Sequence, residues 1–301
     1  RVRARVISHA LQDLIKESDN VIIMGHKAPD MDALGSAIGI RNIAKTNEVE
    51  GYIVFDEDDV TEGVERMIGE LQKEEQLWEA FIDPDEAEAM MTSRSLIVIV
   101  DTHKPTMVTN SRLLNKTNYI VVIDHHRRGE DFISNPTLVY MEPYASSTCE
   151  LVTELLEYQP KRAKLTMLEA TALLAGITVD TKGFALRTGS RTFDAASYLR
   201  SKGADTILIQ RFLKEDIETY VKRSKLIERV EIYKDTIAIT TAKEDEIYSQ
   251  ILIAQTADTL LTLEQISASF VICKLEDDKV AVIEPRLFHC FWQSAKVHAI
   301  L

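Results

Sequence analysis

The sequence predicts an α/β protein that has a parallel sheet with helices on both faces, followed by a smaller α/β domain. In the first half of the chain, short apolar runs of strand length alternate with segments of helical length, as in repeated βαβ units. These runs are continuously apolar, which is typical of strands buried on both faces of a parallel sheet. The 301 residues are also enough for about two domains of ordinary size.

The elements of the first half follow in order from these patterns. Apolar spacing with a helical period predicts helices at 2–14, 32–44, 64–71 and 86–91. Continuous apolar runs predict buried strands at 21–25, 52–55, 96–100 and 119–123.

The second half begins as a mostly helical region and then changes to strands. Helices are predicted at 147–157, 166–179, 190–201, 204–213 and 244–261, and strands at 236–241, 269–275 and 279–283. The charged stretch 215–231 contains no Gly or Pro and therefore predicts a helical connector. We expect a first domain over residues 1–213, a helical linker over 214–231 and a second domain over 232–301.

Charge and cysteine content make several classes of protein improbable. The net charge of −13 disfavours binding of long nucleic acid. Three cysteines without a CxxC motif predict neither a disulfide framework nor a zinc site built from thiolates.

The longest apolar runs fall far short of the roughly 18 residues of a membrane helix, so no membrane contact is expected from this part of the chain. Because the sequence opens on Arg1 without a signal-like stretch, it is expected to be part of a longer protein.

Acidic and imidazole side chains follow three of the predicted strands. A single Asp in such a place is usually a helix cap or a turn residue, so each position alone indicates little. The carboxyl ends of parallel strands, however, lie at one edge of a sheet, where ligands bind in open α/β folds. The residues that would meet there are His26, Asp30, Asp32, Asp101, Asp124, His125 and, from the end of a helical segment, Asp180.

So many carboxylates cannot share one pocket without compensating charge, because like charges raise one another's pKa. Divalent cations would compensate them, and a donor set of carboxylates and imidazoles favours Mn²⁺ or Mg²⁺ over thiolate-bound zinc. A carboxylate that bridges two such ions, about 3.5–4 Å apart, would activate water and hold phosphoryl oxygens. The residues thus indicate a two-metal hydrolase of phosphoesters or phosphoanhydrides, with caps and turns as the alternative interpretation.

Four motifs resemble those of the DHH phosphoesterase superfamily and occur in the same order. They are GHKAPDMDALGSA at 25–37, VDTHKP at 100–105, DHHRR at 124–128 and GITVDT at 176–181. Met31 and the HKP after Asp101 are similar to the GdpP-type cyclic-di-AMP phosphodiesterases in particular. The resemblance implies a DHH domain and a DHH-associated domain that hydrolyse cyclic-di-AMP to linear pApA. It further implies the cytoplasmic part of a membrane-anchored bacterial protein, with monomer or homodimer left open.

The resemblance also implies a role for each matching residue. The implied metal ligands are His26 and Asp30 for a first ion, Asp32, His125 and Asp180 for a second ion, and Asp101 as the bridge between two Mn²⁺ or Mg²⁺ ions. Asp124 would orient a histidine and His126 would face the substrate phosphate, so that both act in catalysis together with Asp101. Arg187 would help to neutralise phosphate, unless it is an ordinary surface arginine. Ser146 and Ser147 would contact substrate, unless they cap the helix that follows.

One departure from the family concerns the end of the sequence. The Gly-rich GGGH stretch expected in a DHH-associated domain is missing after Ile283, so the tail is interpreted as atypical or truncated and weak binding of cyclic-di-AMP is expected. Two other functions therefore stay open. One is an oligoribonuclease or phosphoadenosine phosphate phosphatase, and the other is a catalytically weak nucleotide-binding module.

Overall fold

The computed structural model describes residues 2–60, 62–159, 164–243, 245–275 and 280–283. The prediction about the tail, residues 284–301, lies outside the described residues. The chain divides into two compact units, with the boundary between Leu213 and Lys214. The segment 214–231, expected as a helical linker, lies in the second unit and contains a helix over Ile217–Glu228.

The described part of the first unit contains six strands and nine α-helices. The strands are β1 (Val21–Met24), β2 (Gly51–Val54), β3 (Phe81–Ile82), β4 (Leu96–Val100), β5 (Ile120–Asp124) and β6 (Leu138–Met141). The helices are α1 (Val2–Glu17), α2 (Met31–Thr46), α3 (Glu62–Leu71), α4 (Glu75–Trp78), α5 (Pro84–Met90), α6 (Thr148–Glu157), α7 (Met167–Asp180), α8 (Ser190–Ser201) and α9 (Thr206–Phe212). Two short 3₁₀ helices cover Glu57–Asp59 and Ser111–Asn115.

The six strands form one parallel sheet in the order β3-β2-β1-β4-β5-β6. The chain moves from β1 outward to β3, then returns to β4 beside β1 and proceeds in the opposite direction. This reversal creates a crevice at the carboxyl ends of β1 and β4, the place where open α/β sheets bind ligands.

Both faces of this sheet are covered, because successive residues of a strand point to opposite sides. Val21 and Ile23 of β1 pack into a large core with α2, α6 and α7. Ile22 and Met24 pack into a second core on the other face, where α5 contributes Ala87. The predicted α/β class, with a parallel sheet and helices on both faces, is confirmed.

Two strands of this six-stranded sheet were not predicted from the sequence. Strand β3 has only two residues, and β6 has three half-buried residues out of four, so neither produces the long apolar run of a central strand. Both lie at the edges of the sheet.

The second unit contains a mixed sheet. Its elements are α10 (Ile217–Glu228), β7 (Glu231–Tyr233), β8 (Ile237–Thr241), α11 (Gln250–Leu260), β9 (Ala268–Lys274) and β10 (Val280–Ile283), with strand order β10-β9-β8-β7. Strand β10, which falls within the strand predicted at 279–283, pairs with β9 in the antiparallel direction. The helix predicted at 244–261 begins later, at Gln250, because the Ser249 side chain caps it by accepting the N–H of Leu252.

Among the described residues, no helix combines the length and the apolar character needed to cross a lipid bilayer.

Candidate metal centre

The crevice between β1 and β4 holds the predicted cluster of acidic and imidazole side chains. His26 follows β1, Asp101 follows β4, and Asp124 ends β5 directly before His125. Asp30 and Asp32 come from the start of α2, and Asp180 is the last residue of α7. The parallel sheet therefore brings together side chains that are up to about 150 positions apart in the sequence.

Two groups of three residues in this cluster have the spacing of metal ligands. One group is His26, Asp30 and Asp101, and the other is Asp32, His125 and Asp180, with the ligand atoms of each group within 4.8 Å of one another. A third group of Asp101, His125 and His126 overlaps both. Asp101 connects the two sides, because its Oδ2 lies 3.4 Å from Nε2 of His26 and its Oδ1 lies 3.5 Å from Nε2 of His125.

His26 is held in the tautomer that a metal ligand needs. Its Nδ1 lies 2.8 Å from the carbonyl oxygen of Lys27, which can only accept, so this nitrogen carries the proton. In the neutral ring the lone pair is then on Nε2, the nitrogen that faces Asp30 and Asp101 at 3.7 and 3.4 Å. A backbone carbonyl that fixes the outer nitrogen in this way is the usual support of a histidine ligand.

His125 is buried and, among the described residues, neither of its ring nitrogens has a hydrogen-bond partner. Its Nε2 lies 3.2 Å from Oδ2 of Asp180 and 3.8 Å from Oδ2 of Asp32. Leaving a buried polar atom unpaired is costly, and a cation between these three side chains would give Nε2 a partner. The residues present therefore fit a metal ion.

The electrostatics of the cluster also indicate missing positive charge. Burial and the neighbouring Asp32 raise the pKa of Asp101 to about 8. Burial and Asp32 likewise raise the pKa of Asp180 to about 6. Burial alone would lower the pKa of His125, but the carboxylates of Asp180 and Asp101 raise it to about 10. Raised pKa values on carboxylates and on a neighbouring imidazole indicate a strongly negative electrostatic potential in the cluster. Divalent cations would offset this potential.

Asp32 is fully buried, and the start of α6 holds its carboxylate. Its Oδ2 accepts the N–H of Thr148 at 2.7 Å and its Oδ1 accepts the N–H of Cys149 at 2.8 Å. The N-terminus of a helix offers unpaired N–H groups and a positive dipole end, so it stabilises an ionised carboxylate there. Thr148 also donates its hydroxyl to Oδ1 of Asp101 at 2.9 Å. Sequence reasoning did not identify Thr148, although its place at a predicted helix start was visible.

Ser147 and Ser146 are buried at this same helix start. The Ser147 hydroxyl accepts the N–H of Glu150 at 3.0 Å, which is the N-cap arrangement that the sequence left as the alternative. Ser146 donates its hydroxyl to Glu150 Oε2 at 2.6 Å. A contact of either serine with substrate stays a prediction.

Asp101 itself has an uncommon backbone conformation, with φ at 60°. Outside Gly, this left-handed region is tolerated best by Asn and Asp. The conformation occurs at the end of β4, where the chain leaves the sheet and aims the carboxylate into the crevice.

Asp124 is fully buried and contacts two histidines. Its Oδ1 accepts the backbone N–H of His126 and lies 2.7 Å from His126 Nδ1, and its Oδ2 lies 2.6 Å from Nδ1 of His103. Despite its burial, these contacts hold the pKa of Asp124 well below its usual range. The sequence predicted that Asp124 orients a histidine, but it assigned no role to His103.

Arg187 lies on the turn after α7, where the residue as a whole is exposed to solvent but its guanidinium is partly shielded. Partial burial lowers the pKa of its guanidinium, whereas Asp180 raises it and Arg127 lowers it further. Both neighbours are therefore within electrostatic reach, which places Arg187 at the rim of the cluster. Its role toward phosphate stays a prediction.

Gly176 allows α7 to approach Asp32 closely. A Cβ added at Gly176 would lie 2.5 Å from Sγ of Cys149 and 2.9 Å from Cα of Asp32. We expect Gly176→Ala to destabilise the fold by about 1–3 kcal/mol through overpacking, which exceeds the gain of about 1 kcal/mol in helix propensity. It should also lower the amount of bound metal, because Asp32 must move. Urea unfolding and metal analysis of the purified variant measure both effects.

Gly69 in α3 provides the matched control, since a Cβ there would meet nothing within 4 Å. Gly69→Ala should leave metal content unchanged and stabilise the protein by up to about 1 kcal/mol. If both variants were equally stable and equally loaded with metal, the close approach at Gly176 would not position Asp32.

Part of the chain matches a known protein family. A family model described as the DHH family, N-terminal domain, matches residues 20–177, just over half of the chain. The matched segment contains all of the clustered residues except Asp180.

Two curated relatives are similar over nearly the whole chain. The chain is 60% identical over 284 residues to the cyclic-di-AMP phosphodiesterase GdpP of Bacillus subtilis (strain 168), a match that covers 94% of this chain and 43% of the relative. It is 54% identical over 286 residues to the cyclic-di-AMP phosphodiesterase PdeA of Listeria monocytogenes serotype 1/2a (strain 10403S), covering 95% of this chain and 43% of the relative. The chain thus spans less than half the length of these relatives.

A solved structure shares the fold. The crystal structure of an exopolyphosphatase-related protein from Bacteroides fragilis aligns with a TM-score of 0.78 at 18% identity, covering 95% of this chain and 85% of that chain. At this identity the likeness concerns the fold alone.

Proposed function

The chain belongs to the DHH family, and on that premise we propose that it is a two-metal phosphodiesterase that hydrolyses cyclic-di-AMP to linear pApA. Members of this family are metal-dependent phosphoesterases, and the chain carries acidic and imidazole groups that could bind metal. The observation that carries the proposal is the pair of ligand groups joined through Asp101, in a chain 60% identical to a cyclic-di-AMP phosphodiesterase.

The donor set supports Mn²⁺, with Mg²⁺ as the alternative. The first ion would be held by His26, Asp30 and Asp101, and the second by Asp32, Asp101, His125 and Asp180. Carboxylate oxygens and imidazole nitrogens suit these metals. Cys149 lies beside Asp32, but burial raises the pKa of its thiol well above the usual value, so it does not offer a thiolate. When bound, the two ions would offset the carboxylates and supply Lewis-acid activation of water and of a phosphoryl oxygen.

The chain's own residues would bind and orient the substrate around this centre. His126 donates its Nδ1 proton to Asp124, so Nε2 is the nitrogen left for the substrate, and it would donate to a phosphate oxygen when the ring carries its second proton. Arg187 and Arg127 would add positive charge at the rim and attract the phosphates into an otherwise acidic crevice. Asp124 would act on catalysis only through the histidines it holds, because its oxygens already accept bonds from them.

The kind of larger protein to which the chain belongs is also a proposal. We infer that it is the cytoplasmic catalytic part of a longer, membrane-anchored protein, which agrees with its match to only 43% of each relative. A homodimer is one arrangement of that protein, and gel filtration with light scattering distinguishes it from a monomer.

A turnover assay tests the proposed function. Chain loaded with Mn²⁺ is incubated separately with cyclic-di-AMP, pApA and phosphoadenosine phosphate, and chelator-treated chain serves as the blank. We expect opening of cyclic-di-AMP to pApA with kcat/KM about tenfold or more above the linear compounds.

Two outcomes would contradict the proposal. Faster turnover of pApA or phosphoadenosine phosphate would assign an oligoribonuclease or phosphatase. Binding of cyclic-di-AMP without turnover above the blank would assign a nucleotide-binding module.

A further inference from the structure

His103 belongs to the VDTHKP motif, but the two-metal centre does not use it. It lies two residues beyond Asp101, in the segment that leaves β4, and it is 2% exposed. A histidine buried to this extent needs partners for both ring nitrogens. Those partners indicate what it does.

The hydrogen bonds of His103 fix its tautomer. Its Nε2 accepts the backbone N–H of Gly129 at 3.1 Å, and its Nδ1 lies 2.6 Å from Oδ2 of Asp124. Because a backbone N–H can only donate, Nε2 carries the lone pair and Nδ1 carries the proton. His103 therefore donates its Nδ1 proton to Asp124.

Asp124 connects this contact to His126. One of its oxygens is held by His103, and the other accepts from the backbone N–H and from Nδ1 of His126, at 3.1 and 2.7 Å. The carboxylate is held from both sides, so it cannot turn without breaking a bond to one of the histidines. The ring of His126 is only partly buried and has less packing to hold it in place.

We propose that His103 is a positioning residue that sets the orientation and the tautomer of His126 through Asp124. The proposal rests on the proposed function, in which His126 contacts the substrate phosphate. Without the proton of His103, Oδ2 of Asp124 would lose its hydrogen-bond donor in a buried site, and the carboxylate would turn to find another. His126 would then sample other tautomers and ring positions.

A competing explanation makes His103 a structural anchor for the loop after β5. Its carbonyl oxygen accepts the N–H of Ile133 at 3.0 Å, and its ring stacks on Phe132 with centroids 5.3 Å apart. Under this explanation the bond to Gly129 would matter more than the bond to Asp124.

Two amide substitutions separate these explanations. The side-chain nitrogen of Asn lies close to the place of Nδ1, so His103→Asn keeps a donor for Asp124 and loses the acceptor for Gly129. The side-chain oxygen of Gln reaches the place of Nε2, so His103→Gln keeps the acceptor and loses the donor. Thr106→Val is the control, because it removes another bond between the same two segments, from Thr106 to Asp131 at 3.0 Å, without touching Asp124.

The first measurement is the turnover of cyclic-di-AMP by the metal-loaded chain. We expect His103→Gln to lower kcat roughly ten- to a hundredfold, with KM and bound metal unchanged, as for other residues that support a site residue. His103→Asn should stay within about threefold of the original chain, and Thr106→Val should match it. Full activity of His103→Gln, or an equal loss in both amide variants, would overturn the proposal.

The second measurement is a double-mutant cycle. If His103 acts only through His126, His103→Gln should cost less than about twofold in a His126→Ala background. Additive losses would show that His103 acts by another route and would overturn the proposal.

The third measurement needs no substrate. Imidazole ¹⁵N NMR of the Mg²⁺-loaded chain should show His126 protonated on Nδ1 in the original chain and in His103→Asn, and mixed tautomers in His103→Gln. An unchanged His126 tautomer in His103→Gln would contradict the positioning role. A chain that gives the expected spectra but does not hydrolyse cyclic-di-AMP would refute the proposed function and retain the positioning role.

Discussion

Asp101→Asn is expected to lower kcat for cyclic-di-AMP about a thousandfold or more, because in the proposed two-metal centre several kcal/mol of transition-state stabilisation would depend on Asp101 as the bridge. Asp101 is the residue common to both sides of the cluster, with one oxygen facing His26 and the other facing His125. Asn is the suitable replacement because it tolerates the φ of 60° and has nearly the same size, so the fold should persist. Steady-state kinetics together with metal analysis measure the effect.

Asp56 provides a matched control for Asp101. It also follows a parallel strand of the sheet, but it lies outside the cluster and caps the short helix Glu57–Asp59 by accepting the N–H of Asp58. Asp56→Asn keeps a capping side chain and should leave activity unchanged. An Asp101→Asn variant that retained more than about a tenth of the activity would exclude Asp101 as the bridge.

His125→Ala and His126→Ala are expected to have different effects on metal content and on kcat. His125 lies between Asp32, Asp101 and Asp180, so its removal should lower both the metal content and kcat. His126 is bonded to Asp124, so His126→Ala should keep the metal and lower kcat about 10²- to 10⁴-fold, the range for a residue that acts on the reacting group.

Metal analysis by mass spectrometry alongside the kinetics separates the two histidines. An equal loss of metal in both variants would make His126 a ligand, as the spacing of Asp101, His125 and His126 would also permit. The assignment of His126 to the substrate would then be wrong.

The sequence predicted those parts of the fold that depend on local pattern. The run 96–100 coincides with β4, because a strand buried on both faces is apolar throughout. The clustering of Asp101 with His26 and Asp124 followed from the parallel order of the strands, whereas Asp180 reaches the cluster from the end of helix α7. Each of these predictions needs only the identity of the residues and the direction of the chain.

The remaining features depend on contacts between distant segments. The hydrogen bond from the backbone N–H of Thr148 to Asp32 joins residues that are 116 positions apart, and no local sequence pattern specifies it. In the sequence, nothing distinguishes His103 from the other residues of its motif. Its role depends on the contact between its ring and Asp124, which lies 21 positions further along the chain. The left-handed backbone of Asp101 is likewise a property of the strand end rather than of the residue type.

The burial of Asp32 and Asp101 beside each other serves the proposed function but opposes the stability of the fold. Folding must bring both carboxylates out of water to within range of Asp180, where burial and mutual repulsion oppose them. A sequence selected only for stability would replace them with neutral side chains, because an active site often lowers the stability of the fold that carries it. Bound cations would reverse this balance and would link α2, β4, β5 and α7, so the unfolding temperature of the protein would rise with the concentration of available metal.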